Sequence, residues 1–178
     1  MGIMKINIRV ATFLFLFSSL VGYSLFYSAD NHSFPSSKIT KVVFLGTGTP
    51  NPDPRHSGNS VAVVVRGVPY LVDMGPGLVR KAAALSPEYG GQIEGLNVTN
   101  IRRIFVTHLH SDHTAGYPDL ILTPWVMGRN EPLHVYGPEG LRRMTENILE
   151  AYSEDIRIRL YGIEKADNKG WRVKVREI

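Results

Sequence analysis

The sequence predicts an α/β fold, because short apolar runs of strand length alternate with helix-forming segments, and glycine and proline clusters separate the two. Residues 41–46 (KVVFLG) make the first run, closed by Gly46-Thr47-Gly48-Thr49-Pro50, which predicts a buried strand emptying into a tight loop. A long loop, NPDPRHSGN, follows. Residues 60–66 and 69–74 are two β-rich runs separated by Gly67-Val68, the spacing of a hairpin. Gly75-Pro76-Gly77 then breaks the strand, and residues 78–85 (LVRKAAAL) carry good helix formers. Residues 86–100 hold three glycines and little periodicity, as a connector would. Residues 101–107 (IRRIFVT) predict a strand, and YPDLILTPWVM after Gly116 a short helix bounded by Pro124. Another strand, residues 133–136, precedes Gly137-Pro138. From Pro138, PEGLRRMTENILEAY places Leu141, Met144, Ile148 and Ala151 on one helical face, with proline at the helix start. DIRIRLY (155–161) and WRVKV (171–175) alternate strictly and predict half-buried strands.

The chain divides into three parts. Lys5 and Arg9 precede residues 10–29, VATFLFLFSSLVGYSLFYSA, which carry no charge and fit a cleaved secretory signal or an uncleaved signal anchor. Residues 30–38 (DNHSFPSSK) read as a linker, and residues 39–178 as the domain. With Lys5 and Arg9 on the cytoplasmic side, the body is expected to be exported, periplasmic or secreted, or anchored to the membrane by residues 10–29. Setting those two aside leaves 18 of the 20 basic residues against 16 acidic ones, a balance that argues against a nucleic-acid surface. There is no cysteine, so a metal would have to be held by histidine and carboxylate.

Such ligands crowd into six residues: His108, His110, Asp112 and His113, after a strand and before a helix. His108 and His110 are two apart on extended backbone and share a side, so they can bind one ion together. Asp112 and His113 follow the bend and can bind a second. Two ions held in this way could share a hydroxide at near-neutral pH. His134, inside LHVYG, is expected to be packed or hydrogen-bonded in the core, and His56 to be exposed without function.

THLHSDHTAG resembles the histidine motif of the metallo-β-lactamase superfamily. VVFLGTGTPNPDPRHSGNS, LVDMGPG and LHVYGPEGL resemble its ribonuclease Z and arylsulfatase-like branch. The resemblance covers Lys41 to about Tyr161. It implies that His108 and His110 bind the first metal, that Asp112 and His113 bind the second, and that Asp112 assists proton transfer. It places Asp73 beneath the site, supporting the metal-binding loop. Two Zn2+ are the expected cofactors, with manganese or iron compatible with the same ligands. The family pattern also needs a further histidine, a bridging aspartate and a last histidine downstream, none of which is present here. The expected fold is therefore the N-terminal half of an αββα sandwich, preceded by an apolar segment. Alone, these residues are expected to bind metal weakly and to turn nothing over.

The expected activity of the parent protein is metal-dependent hydrolysis of small-molecule ester substrates, aryl sulfate or phosphate esters. Nucleic acid is an unlikely partner on this reading, because export would separate the enzyme from transfer RNA. The alternatives are a catalytically inactive membrane-anchored fragment and a ribonuclease Z-like phosphodiesterase; β-lactam hydrolysis has little support in the motifs.

Overall fold

A computed structural model describes residues 39–163 and 165–178. The apolar segment and the linker predicted at the N-terminus lie outside these residues.

Six strands form one mixed sheet in sequence order: β1 (Thr40–Gly46), β2 (Ser60–Val65), β3 (Val68–Val72), β4 (Arg103–Phe105), β5 (Leu133–Gly137) and β6 (Val173–Glu177). The first three pair antiparallel and the last three join in parallel. The β2–β3 turn consists of Arg66 (φ 50°) and Gly67 (φ 81°), both left-handed, as a tight two-residue hairpin loop requires. Val68 therefore already pairs with Val65, so the loop lies one residue earlier than predicted.

Register assigns the two faces. Val43, Ala62, Leu71, Ile104, Val135 and Val175 are paired in one row across all six strands, and this face carries the core. Against it pack α1 (Leu78–Leu85) through Leu78, Val79 and Ala82, α3 (Tyr117–Val126) through Tyr117, Leu120 and Ile121, and α4 (Leu141–Ala151) through Leu141. The next row, Phe44, Val61, Val72, Phe105, Tyr136 and Arg176, points the other way. Phe44 is 70% exposed there, Val42 in the same strand 61%, and Phe105 and Tyr136 stack at 5.0 Å. One sheet with its helices on one side, and apolar side chains left on the other, agrees with half of a sandwich.

Four local expectations are corrected. Pro124 does not end its helix: α3 runs through it to Val126. A proline at 124 leaves the carbonyl of Leu120 without its helical donor, and Arg129 supplies one, donating from Nη1 to Leu120 O (3.0 Å) and from Nη2 to Ile121 O (2.8 Å). Residues 155–161 are helix α5 (Ser153–Tyr161), not a strand. The alternation there is overridden by ion pairs at helical spacing, Glu154 with Arg157 and Asp155 with Arg159, and only Ile156 is buried. α4 begins at Leu141, after left-handed Gly140, so Pro138 belongs to the preceding turn. His134 lies on the face opposite the core, its backbone paired with Arg103 and Lys174, which explains why its pKa is lowered by partial burial and then by these two cations.

Candidate metal centre

The histidine segment follows the carboxyl end of β4, beside the end of the parallel strand β3. Asp73, one residue past β3, is the hub. It is buried, and its backbone is left-handed (φ 61°), a conformation aspartate tolerates better than most residues but still at some cost. Its N–H donates to Phe105 O (2.8 Å), which ties the strand ends together.

Its carboxylate can only accept hydrogen bonds. Oδ1 accepts from the Thr107 backbone N–H at 2.8 Å, and Oδ2 from His113 Nδ1 at 2.8 Å. The Thr107 hydroxyl lies 3.0 and 2.9 Å from the two oxygens, so its proton goes to the carboxylate. The hydroxyl oxygen is 2.9 Å from His108 Nδ1 and accepts from it. Both His108 and His113 therefore carry their proton on Nδ1, leaving the Nε2 lone pairs to face outward.

The four predicted residues come together. The rings of His108 and His110 meet edge to face at 4.7 Å, and those of His108 and His113 lie 4.1 Å apart. Asp112 and His113 sit in the short helix α2 (Ser111–Thr114), with Asp112 Oδ2 3.5 Å from His113 Nε2. The set is made of pairs: among the described residues, no three His, Cys, Asp or Glu side chains converge to hold an ion by themselves. Imidazole nitrogens with free Nε2 lone pairs and a carboxylate are nevertheless donors that suit a divalent cation.

Asn59, in the loop before β2, and Thr107 were not singled out in the sequence. Asn59 Nδ2 stands 3.2 Å from His113 Nε2. Gly75 lets that loop reach the site: a Cβ there would lie 2.4 Å from Gly58 C, 2.5 Å from Asn59 N and 2.5 Å from Asp112 O. Only glycine permits three backbones to meet so closely. Thr107 opens the histidine segment and Asn59 closes the HSGN loop, but neither residue type by itself announces a role. His56 is exposed and bonded to Asp53 (3.1 Å). The Asp53 carboxyl is held well below the usual range, by the Arg55 side chain first, then by the Arg55 backbone N–H and His56.

Residues 53–176 match the family model described as the Metallo-beta-lactamase superfamily. The chain is 41% identical over 113 residues to Ribonuclease Z of Pyrococcus abyssi, covering 64% of this chain and 34% of that protein. It is 39% identical over 125 residues to Ribonuclease Z of Mycolicibacterium gilvum, covering 68% and 41%. Among solved structures, human tRNase Z, short form, superposes with a TM-score of 0.55 at 27% identity, covering 76% of this chain and 44% of that one. A long form RNase Z from yeast shares the fold, with a TM-score of 0.59 at 16% identity over 82% of this chain and 18% of that one. The chain thus spans about two fifths or less of the length of these curated relatives.

These relatives overturn two expectations: a small aryl sulfate or phosphate ester as substrate, and nucleic acid as an unlikely partner. Both had rested on overall charge and on export. A near-neutral total does not report how charge is distributed over a surface, and the segment behind the export argument lies outside the described residues.

Proposed function

From the premise that the chain belongs to the metallo-beta-lactamase superfamily, we propose that it supplies the histidine-bearing half of a metal-dependent, ribonuclease Z-like phosphodiesterase acting on RNA. The observation that carries this reading is the Asp73 hub, which fixes His108 and His113 with their Nε2 lone pairs outward at the strand ends. The similarity to several ribonuclease Z proteins supports the substrate class.

On this reading His108 and His110 would hold one cation and Asp112 and His113 a second, zinc at both positions or manganese or iron in its place. Such cations would lower the pKa of a water and neutralise charge on the phosphoryl oxygens. The chain's own part is to position and to move protons. Asp73 holds His113 directly and His108 through the Thr107 hydroxyl, so neither ring can turn its protonated nitrogen to the site. Asp112 accepts a proton from the water whose oxygen bonds to phosphorus as one P–O ester bond breaks. Asp112 then gives that proton to the leaving oxygen. The apolar face on which Phe44 and Phe105 are exposed is where the second sheet of the sandwich would pack.

We also propose that residues 10–29 direct the body across a membrane. An exported enzyme would meet RNA outside the cytoplasm, and the substrate class on this reading is an RNA phosphodiester. Protease treatment of intact cells is expected to digest the domain; protection in the cytosol would remove the export proposal. For the activity, the natural gene product loaded with Zn2+ or Mn2+ is given a 3′-extended RNA. Cleavage that chelator abolishes is expected, and intact RNA under conditions where the metal is bound would contradict the proposal.

A further inference from the structure

The geometry points to Asn59 as the third protein group of the pocket shared by Asp112 and His113, an amide ligand for a divalent cation there. The inference rests on the metal-site reading above. It starts from the His113 Nε2 lone pair, which faces the site because Nδ1 donates its proton to Asp73. Two groups face that lone pair: Asp112 Oδ2 at 3.5 Å and Asn59 Nδ2 at 3.2 Å. Ligands that share one tetrahedral ion through bonds of about 2.1 Å stand about 3.4 Å apart. Both separations from His113 are close to that spacing, and the shorter one is at present an ordinary amide-to-imidazole hydrogen bond.

As it stands, the amide N–H donates into the lone pair that a cation would take. A half-turn of the amide about its last side-chain bond exchanges Nδ2 for Oδ1 at nearly the same place, which turns a donor into an acceptor. The side chain needs no other movement, because its backbone is already fixed. Gly75 N–H donates to Asn59 O (2.9 Å), Gly58 N–H to Pro76 O (2.9 Å) and Met74 N–H to His113 O (2.8 Å). These bonds lock the HSGN loop, the end of β3 and the histidine segment into one unit. The close approach at Gly75 keeps Asn59 and Asp112 on either side of a single backbone.

The chemistry of the set also separates the two positions. One imidazole, one carboxylate and one amide oxygen make an oxygen-rich pocket, which suits Mn2+ better than the paired imidazoles of His108 and His110 do.

The test is Mn2+ binding by the full chain, followed by electron paramagnetic resonance, with no turnover required. The set comprises wild type, Asn59→Ala, Asn59→Asp, His108→Ala and His113→Ala. A Mn2+ site lost in His113→Ala and kept in His108→Ala is expected in the wild type. Asn59→Ala is expected to weaken that site by about 10- to 100-fold, as loss of a supporting group does, and Asn59→Asp to tighten it. Wild-type affinity in both Asn59 variants, with the His113 dependence intact, would overturn the role of Asn59 and leave the metal site standing. Absence of any His113-dependent site would overturn both. If Asn59→Ala unfolds by circular dichroism, Asn59→Asp decides alone: tighter binding supports the assignment, and unchanged or weaker binding refutes it.

Discussion

Asp73→Asn changes one carboxylate oxygen into an NH2 group and almost nothing else, and asparagine tolerates the left-handed φ of 61° that this position demands. The native carboxylate accepts from three donors at 2.8 to 3.0 Å: the Thr107 N–H, the Thr107 hydroxyl and His113 Nδ1–H. An asparagine has a single acceptor oxygen. If that oxygen stays with the Thr107 N–H, the NH2 group faces His113 Nδ1 and the ring must shift its proton to Nε2, the nitrogen that should bind metal. Loss of such a supporting partner lowers metal affinity by about 10- to 100-fold, or about 1.4–2.7 kcal/mol. If the oxygen turns to His113 instead, the buried Thr107 N–H is left unpaired, at about 1–3 kcal/mol of stability. One loss or the other must appear. Zn2+ affinity measured by chelator competition and stability measured by urea unfolding separate the two cases. Wild-type values in both would refute the hub reading of Asp73.

Three further outcomes are expected. Arg129 is only 1% exposed and donates to the carbonyls of Ile101, Leu120, Ile121 and Gly170. Burial pushes its pKa down to about 10, so it remains charged at neutral pH. Arg129→Met should cost about 2–5 kcal/mol in urea unfolding, since buried carbonyls without donors cost about 1–3 kcal/mol each and relief of the buried charge offsets only part; a change below about 1 kcal/mol would contradict this. Gly75→Ala should lose about 1–3 kcal/mol, as overpacking does, and should weaken Zn2+ binding as well, because the added methyl separates Asn59 from Asp112; a variant as stable as wild type would contradict the close approach. His134 has its pKa lowered from 6.5 by burial, then by Lys174 and Arg103, with Glu131 opposing. The unfolded chain therefore binds the proton first, so this contribution is full above 6.5 and is lost as pH falls below that value and through the lower folded-state pKa. Unfolding curves from pH 8 to pH 5 should show a gentler decline in His134→Gln than in wild type, and parallel curves would count against the assignment.

Local pattern made most of the sheet legible. β1 and β2 are rich in β-branched residues, β1 and β5 each end at a glycine, and α1 matches its predicted residues 78–85 in full. The misreadings share one cause, side-chain partnerships that a count of apolar periodicity does not register. Pro124 reads as a helix end unless Arg129 is known to reach back to the freed Leu120 carbonyl. DIRIRLY reads as a strand because the period of 2 is genuine, yet Glu154 and Asp155 find their arginines only in a helix. At the site, His108, His110, Asp112 and His113 were visible because they crowd six residues, and Asp73 through the family resemblance. Asn59 lies 54 positions from His113, and only the fold brings the two within 3.2 Å. Substrate class was misjudged for a different reason: it is a property of surface shape and charge placement, and composition averages both away.

Whether His108 and His113 are held with Nδ1 protonated and Nε2 open to a metal is read from 15N chemical shifts of the histidine rings before and after Zn2+ is added. Nδ1–H tautomers are expected for His108 and His113 in the metal-free protein, with zinc moving the Nε2 resonances of those two residues and of His110. His56 and His134 should stay where they are. Nε2–H tautomers at His108 and His113, or zinc acting on His56 or His134 instead, would contradict this arrangement.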